Sequence, residues 1–231
     1  MLAAGEAVLD NPVYAALGGP HARLAQVCGR ARRYPQDVAP FLALPPAPST
    51  QDWQDATALL APGTFAAVLQ QADGLPEGWQ PLQSFDLAQM VGERVTGAGF
   101  PEALILGPAD VPEMLELVAE TEPGPFFPRT IELGQYLGVR RDGKLVAMAG
   151  ERLRLDGWTE ISAVCTAASH RGQGLASRLM GALIEAIQLR SEQVFLHVLT
   201  TNTGAIRLYQ ELGFRIRRTA TLTLVTRTAA A

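Results

Sequence analysis

The sequence predicts an α/β protein. It should contain a mixed, mostly antiparallel sheet with one parallel strand–helix–strand crossover, preceded by a smaller α/β lobe. Three stretches predict it. In "QYLGVRRDGKLVAMAGERLRL" two alternating apolar runs flank Asp142-Gly143, the pattern of a tight hairpin. "WTEISAVCTA", the helical "LASRLMGALIEAIQL" and "VFLHVLT" read as strand, helix and strand in succession, which pack together as a parallel crossover. "FRIRRTATLTLVTR" alternates as a closing strand or strand pair.

The remaining elements follow in chain order. "DNPVYAAL" is a short capped helix with Pro12 at its start. "RLAQVCGRARRY" and "DVAPFLAL" suit strands, Pro45-Pro46-Ala47-Pro48 breaks the chain, and "TQDWQDATALLAP" suits a helix. "GTFAAVLQ" and "LQSFDLAQMVG" suit further strands. No repeat is evident. The glycine-rich "GERVTGAGF" suggests a boundary, giving an N-terminal lobe over residues 1–97 and a second domain over 98–231. There "PEALILGP" is a strand, and Asp110 stands as N-cap before a helix carrying Pro112, Leu115 and Val118. "TEPGPFFPRT" is a proline-rich loop. Asp156-Gly157 leads into the next strand. Leu175, Leu179, Leu183 and Ile187 recur at helical spacing, widened by Met180 and Ile184. A shorter helix from Asn202 carries Ala205, Leu208 and Leu212 on one face, with Gly213 as its stop.

Composition narrows the function. The 231 residues are 48% hydrophobic and 18% charged, which suits a folded globular chain with a real core. A formal net charge of −4 lacks the basic excess of a general nucleic-acid binder. Cys28 and Cys165 lie far apart, and none of the three histidines stands near a cysteine pair, so no metal site is expected. The start "MLAAGEAVLD" has no basic n-region and no stretch reaches membrane-spanning length. The expectation is a cytoplasmic protein with reduced thiols, without membrane or nucleic-acid partners, as a monomer or homodimer.

The stretch "SHRGQGLASRLMGAL" carries the most chemistry. Gly172, Gly174 and Ala176 are small residues at the mouth of a helix, with Arg171 beside them. A helix N-terminus presents unpaired N–H groups and partial positive charge, and small residues let a phosphate approach them. The pattern is neither a P-loop, since no Gly-Lys-Ser/Thr follows, nor a dinucleotide fingerprint, since a hairpin precedes its strand. A ligand-free loop remains the alternative reading of these residues alone.

The segment resembles the acyl-CoA pyrophosphate loop of the GNAT superfamily of N-acetyltransferases. The strand and helix order of the second half matches that superfamily, and "NTGAIRLYQELGF" is similar to its later helix. "PRTIELGQYLGVR" and "FLHVLTTNTGAIRLYQELGF" resemble the branch containing glycine N-acyltransferase-like proteins. The likeness covers roughly residues 102–227. It implies a GNAT-like fold and acetyl-CoA as acyl donor, with no metal, acetylating a primary amine on a small molecule or peptide. Arg171, Gly172, Gln173, Gly174, Leu175, Ala176 and Ser177 would then hold the pyrophosphate. Ala163, Val164, Cys165 and Thr166 would lie on a strand splayed from its neighbour, pairing with pantetheine amides. Asn202 would sit near the pantetheine or the reacting end, and Tyr209 would face the departing sulfur, the alternative being a ring packed on the inner face of its helix.

Acetyl transfer to an amine needs a proton acceptor, because an ammonium near pKa 10 is mostly unreactive at neutral pH. Glu160 is the first candidate for this base; a plain strand-end carboxylate is the alternative. Glu132 and Glu122 are substitutes on the proline-rich segment, each otherwise a solvated loop charge. Cys165, mid-strand among apolar residues, reads as a packed side chain, which favours direct transfer over a thioester on the protein. His170 reads as an exposed loop residue and His197 as a satisfied strand residue. Arg178 and Arg207 would either meet a nucleotide phosphate or face solvent. Phe126, Phe127 and Tyr136 would either line the acceptor site or pack as a hinge. The rival to an enzyme is an acyl-CoA-binding sensor that keeps the cradle without turnover.

Overall fold

A computed structural model of the chain describes residues 5–69 and 74–228. Residues 1–4, the start of the stretch expected to carry no secretion signal, and Gln70, at the end of an expected strand, lie outside those residues. After a 3₁₀ turn at Glu6–Asp10 the elements are α1 (Pro12–Gly18), β1 (Gln26–Cys28), β2 (Ala31–Arg33), β3 (Leu42–Ala43), α2 (Thr50–Leu59), β4 (Phe65–Val68), β5 (Trp79–Gly92) and β6 (Leu104–Leu106). They continue as α3 (Val111–Thr121), a 3₁₀ turn at Thr130–Leu133, β7 (Tyr136–Arg141), β8 (Lys144–Leu155), β9 (Trp158–Thr166), α4 (Leu175–Leu189), β10 (Gln193–Leu199), α5 (Thr203–Glu211) and β11 (Phe214–Arg227).

Local chemistry accounts for most of these elements. Asn11 caps α1 by accepting from the Tyr14 N–H, and Ser49 with Asp52 forms a capping box on α2. Asp142-Gly143 closes the β7–β8 hairpin. Asp110 departs from expectation: its carboxylate accepts from the Gly107 N–H, capping the 3₁₀ turn before α3 rather than α3 itself, and also pairs with Arg140 at 2.6 Å.

Eight strands form one sheet in the order β4-β11-β5-β10-β9-β8-β7-β6, and β1-β2-β3 form a small antiparallel sheet. All pairs in the large sheet are antiparallel except β9 with β10, the expected crossover through α4. The expected division between residues 97 and 98 does not separate two lobes. β5, from the first half, lies hydrogen-bonded between β10 and β11, both from the second. Thirteen residue pairs join β5 to β11, so neither half completes the sheet alone.

Alternation along β10 sorts the faces. Val194, Leu196 and Val198 join the core with Leu179, Leu183 and Ile187 of α4 and Met114 and Leu117 of α3. Phe195 joins the opposite core, with Val13 and Leu17 of α1 and Phe41. Helices therefore cover both faces, and burying each large apolar side chain of α4 contributes roughly 1.5–3 kcal/mol.

Candidate active site

β9 and β10 pair only at their starts, Trp158 to Glu160 against Gln193 to Phe195. Beyond that point β10 continues its pairing with β5 through Leu199, while β9 continues with β8 through Thr166. The two parallel strands thus splay. The register of β9 against β8 slips between Ser162 and Cys165, and Ala163 takes φ 53° within the slip. A non-glycine residue in the left-handed region is uncommon, and here it re-aims the backbone at the mouth of the splay.

The glycine loop follows. Gly172 and Gly174 have φ of 77° and 71°, a conformation that side-chain-bearing residues rarely adopt. A Cβ added at either would meet nothing within 4 Å, so open space lies beyond the backbone there. Gly174 is the N-cap of α4 and no side chain bonds to that cap, which leaves the first-turn N–H groups facing an anion-compatible end. The Arg171 Nε donates to the Thr166 carbonyl at 3.3 Å, tying the loop to the end of β9.

Splay and loop open into one cleft of about 860 Å³. Ala163, Val164, Cys165, Thr166, Arg171, Gly172, Gly174, Leu175, Ala176, Ser177, Asn202 and Tyr209 all line it; Gln173 does not. The Asn202 side chain accepts from the Ala205 N–H and caps α5. Tyr209 leans on Phe214 with ring centroids 6.1 Å apart, and burial pushes its phenol up to about 12, so it remains a proton donor through the neutral range. Burial likewise raises the Cys165 thiol to about 11, which removes the thiolate a nucleophile needs.

Glu160 does not reach the cleft, which corrects its expected role as the base. It is 0% exposed. Its oxygens accept from Arg152 Nε at 2.9 Å and Nη2 at 2.6 Å, and from His197 Nδ1 at 2.7 Å. Burial works to raise this carboxyl, but the charge and hydrogen bonds of Arg152, with His197, outweigh it and hold it well below the usual range. The other His197 nitrogen, Nε2, lies 3.1 Å from the Gln89 amide nitrogen. That amide is oriented by two further bonds, donating to the Leu9 carbonyl and accepting from Arg217, so the His197 proton sits on Nδ1. His197 is the satisfied strand residue expected, on a wall of the cleft.

The other candidates sort by position. Glu132 is held by Arg129, which also reaches Asp37, away from the cleft. Glu122 is exposed and, among the described residues, is the one carboxylate on the cleft wall. Phe126 and Tyr136 pack edge to face in the core instead of lining the acceptor side, and Phe127 is not on the wall. Arg178 lies 3.9 Å from the Phe100 ring centroid and pairs with Glu102, and Arg207 pairs with Glu211 along α5. His170 lines the cleft with Nδ1 2.9 Å from the Ser169 hydroxyl.

Sequence reasoning missed the walls supplied by the first half: Val13, Phe41, Leu69, Phe85 and Leu87, with Arg152 and Leu222 from the second. "LQSFDLAQMVG" was read as a strand, which does not tell which neighbour the face bearing Phe85 and Leu87 would meet.

The FR47-like protein family matches residues 136–223. The crystal structure of a protein from Novosphingobium aromaticivorans assigned to the GNAT family as an acetyltransferase is 38% identical, covering 96% of this chain and 99% of that one at a TM-score of 0.88. A GCN5-related N-acetyltransferase from Kribbella flavida shares the fold at 20% identity, covering 100% of this chain and 98% of that one with a TM-score of 0.60. A search of curated proteins returns no match. No helix among the described residues is long and apolar enough to cross a membrane. With its glycine loop, its splayed parallel pair and a full-length likeness at 38% identity, the chain belongs to the GNAT family of acetyltransferases.

Proposed function

We propose that this protein is an acyl-CoA-dependent N-acetyltransferase that moves the acetyl group of acetyl-CoA to a primary amine by direct transfer in a ternary complex. The observation that carries this reading is the meeting of the glycine loop and the splayed strands in one cleft. Within the family we place it beside the glycine N-acyltransferase-like proteins, on the stretches quoted above, and in a reducing cytoplasm that keeps Cys28 and Cys165 as thiols.

Backbone N–H groups of residues 171–177 hold the pyrophosphate, and those of residues 163–166 pair with the pantetheine amides, one of them polarising the thioester carbonyl. The donor supplies an activated acyl carbon. As the new C–N bond forms and the C–S bond breaks, the amine's proton passes to Glu122 through water. The Tyr209 hydroxyl hydrogen-bonds the sulfur as negative charge gathers there.

Tyr209→Phe and Glu122→Gln are each expected to lower kcat by about tenfold or more, with the acetyl-CoA Kd unchanged. Single-turnover rates beside calorimetric affinities check this, and a shift confined to Kd would refute both roles. Cys165→Ala is expected to keep kcat within about threefold, and the unaltered protein to show no burst of thiol release, since no acyl group rests on sulfur. A burst lost in that variant would replace direct transfer with a two-step route.

Calorimetric titration of acetyl-CoA beside dephospho-CoA tests the whole reading. Binding of both, with the 3′-phosphate adding less than the pyrophosphate, is the expected result. Failure of well-folded protein to bind either would overturn it.

A further inference from the structure

The part of the cleft on the α1 side of the sheet has a chemistry of its own. Along β5, Phe85 and Leu87 share their strand face with Gln89 and Val91, and along β10 His197 shares its face with Phe195. Val91 and Phe195 belong to the core beneath α1, so these side chains point away from α4 and its glycine loop. Phe41, Phe85, Leu87 and Leu222 give this compartment apolar walls.

One cation enters it. Arg152, 14% exposed, lines the cleft with its guanidinium 5.4 Å from the Phe41 ring centroid. Its Nε and Nη2 are spent on Glu160, while Nη1 makes no hydrogen bond to another described residue. With the side chain part-exposed on the cleft wall, Nη1 is the guanidinium nitrogen left for a ligand. Glu160 fixes the guanidinium fork from behind, and both its oxygens are already engaged. Glu122, the one lining carboxylate among the described residues, follows the C-terminal end of α3, whose core lies on the opposite face.

We infer that this compartment selects the acceptor: a primary amine bearing a carboxylate and a large apolar side chain, that is, an apolar amino acid. Arg152 Nη1 donates to the carboxylate, and Phe41, Phe85 and Leu87 enclose the apolar body. A clamped, partly desolvated guanidinium recognises a carboxylate by donor geometry as much as by charge. Apolar walls also disfavour the ammonium form, so the amine loses its proton more readily on entry. Among the described residues, polycationic amines find no free carboxylate in this compartment. The inference rests on the acyltransfer reading above.

The test holds acetyl-CoA at saturation and follows thiol release with leucine, leucinamide, isopentylamine and spermidine. Leucine is expected to exceed leucinamide and isopentylamine in kcat/KM by at least about tenfold, with spermidine lowest. Equal rates for leucine and leucinamide overturn the inference. Calorimetric titration of N-acetyl-leucine against N-acetyl-leucinamide reads the same subsite without turnover, and equal or undetectable binding of both also overturns it. In Arg152→Gln/Glu160→Gln, which stays net neutral, the preference for the acid is expected to fall to within about twofold. A melt confirms its folding, and the comparisons on the unaltered protein stand whether or not it folds. Acetyl-CoA binding that persists while the acid preference is absent removes this inference alone. Absent acetyl-CoA binding removes the acyltransfer reading, and the N-acetyl-leucine titration still judges Arg152.

Discussion

Gly174→Val is expected to weaken acetyl-CoA binding by about a hundredfold or more while leaving the protein folded. Gly174 holds φ 71° at the mouth of α4, and a Cβ there meets no atom within 4 Å. No clash at the added Cβ therefore opposes the substitution in the free protein. Its folding cost is the left-handed penalty, about 1–2 kcal/mol and somewhat more for a β-branched residue. The cost to binding is larger. The valine methyl groups enter the space a phosphate needs, and charge-assisted N–H bonds, worth about 1.5–3 kcal/mol each, are lost with it. Gly63 supplies a matched control, with φ 76°, open surroundings and a place in the turn before β4, outside the cleft. Gly63→Val should lower the melting temperature about as much as Gly174→Val. The two should separate when acetyl-CoA is added. At a hundred times Kd, wild type and Gly63→Val gain about 2.7 kcal/mol of stability, and Gly174→Val gains almost none. If both variants kept the full gain, the loop would be a turn and not a cradle.

The glycine turn at the mouth of α4 was legible in the sequence because its chemistry is local. "RGQGLAS" brings together small residues, a cation and a helix start within seven positions, and each feature acts on its neighbours along the chain. The hairpin at Asp142-Gly143, the helical run from Leu175 and the capped helix at Asn11-Pro12 were legible for the same reason. What escaped depends on contacts between distant segments. Nothing near "LQSFDLAQMVG" indicates that β5 inserts between β10 and β11, so a glycine-rich stretch read as a domain boundary proved to be a connection within one sheet. Glu160 shows the same limit at the site. Its strand position was read correctly, but its availability was decided by Arg152, eight residues earlier on one neighbouring strand, and by His197 on the neighbour at its other side. The register slips between β8 and β9 govern which side chains on those strands meet, and a sequence pattern of period two does not reveal a slip.

Glu160→Ala is accordingly expected to act on stability before it acts on turnover, lowering the free energy of unfolding by about 3–5 kcal/mol. The alanine leaves Arg152 without the carboxylate that answers two of its donors, and leaves the Nδ1–H of His197 without an acceptor. Glu160→Gln should cost less, because an amide oxygen still accepts from one neighbour. The double change Arg152→Met/Glu160→Leu should recover most of the loss, since removing both charges removes the unpaired one. Acid provides a second axis. Burial pushes the Glu160 carboxyl up, yet Arg152 and His197 bring it to about 2, below the ordinary 4.5. A carboxyl depressed in the folded state contributes its full stability above the unfolded value and loses it as pH falls through the folded one. The wild-type urea midpoint should therefore decline from about pH 4.5 toward pH 2 more steeply than that of the double variant, with the two curves parallel near neutrality. Parallel decline through the whole acid range would show that the pair contributes nothing to folding. The role of Glu160 would then have to be sought in the chemistry of the cleft.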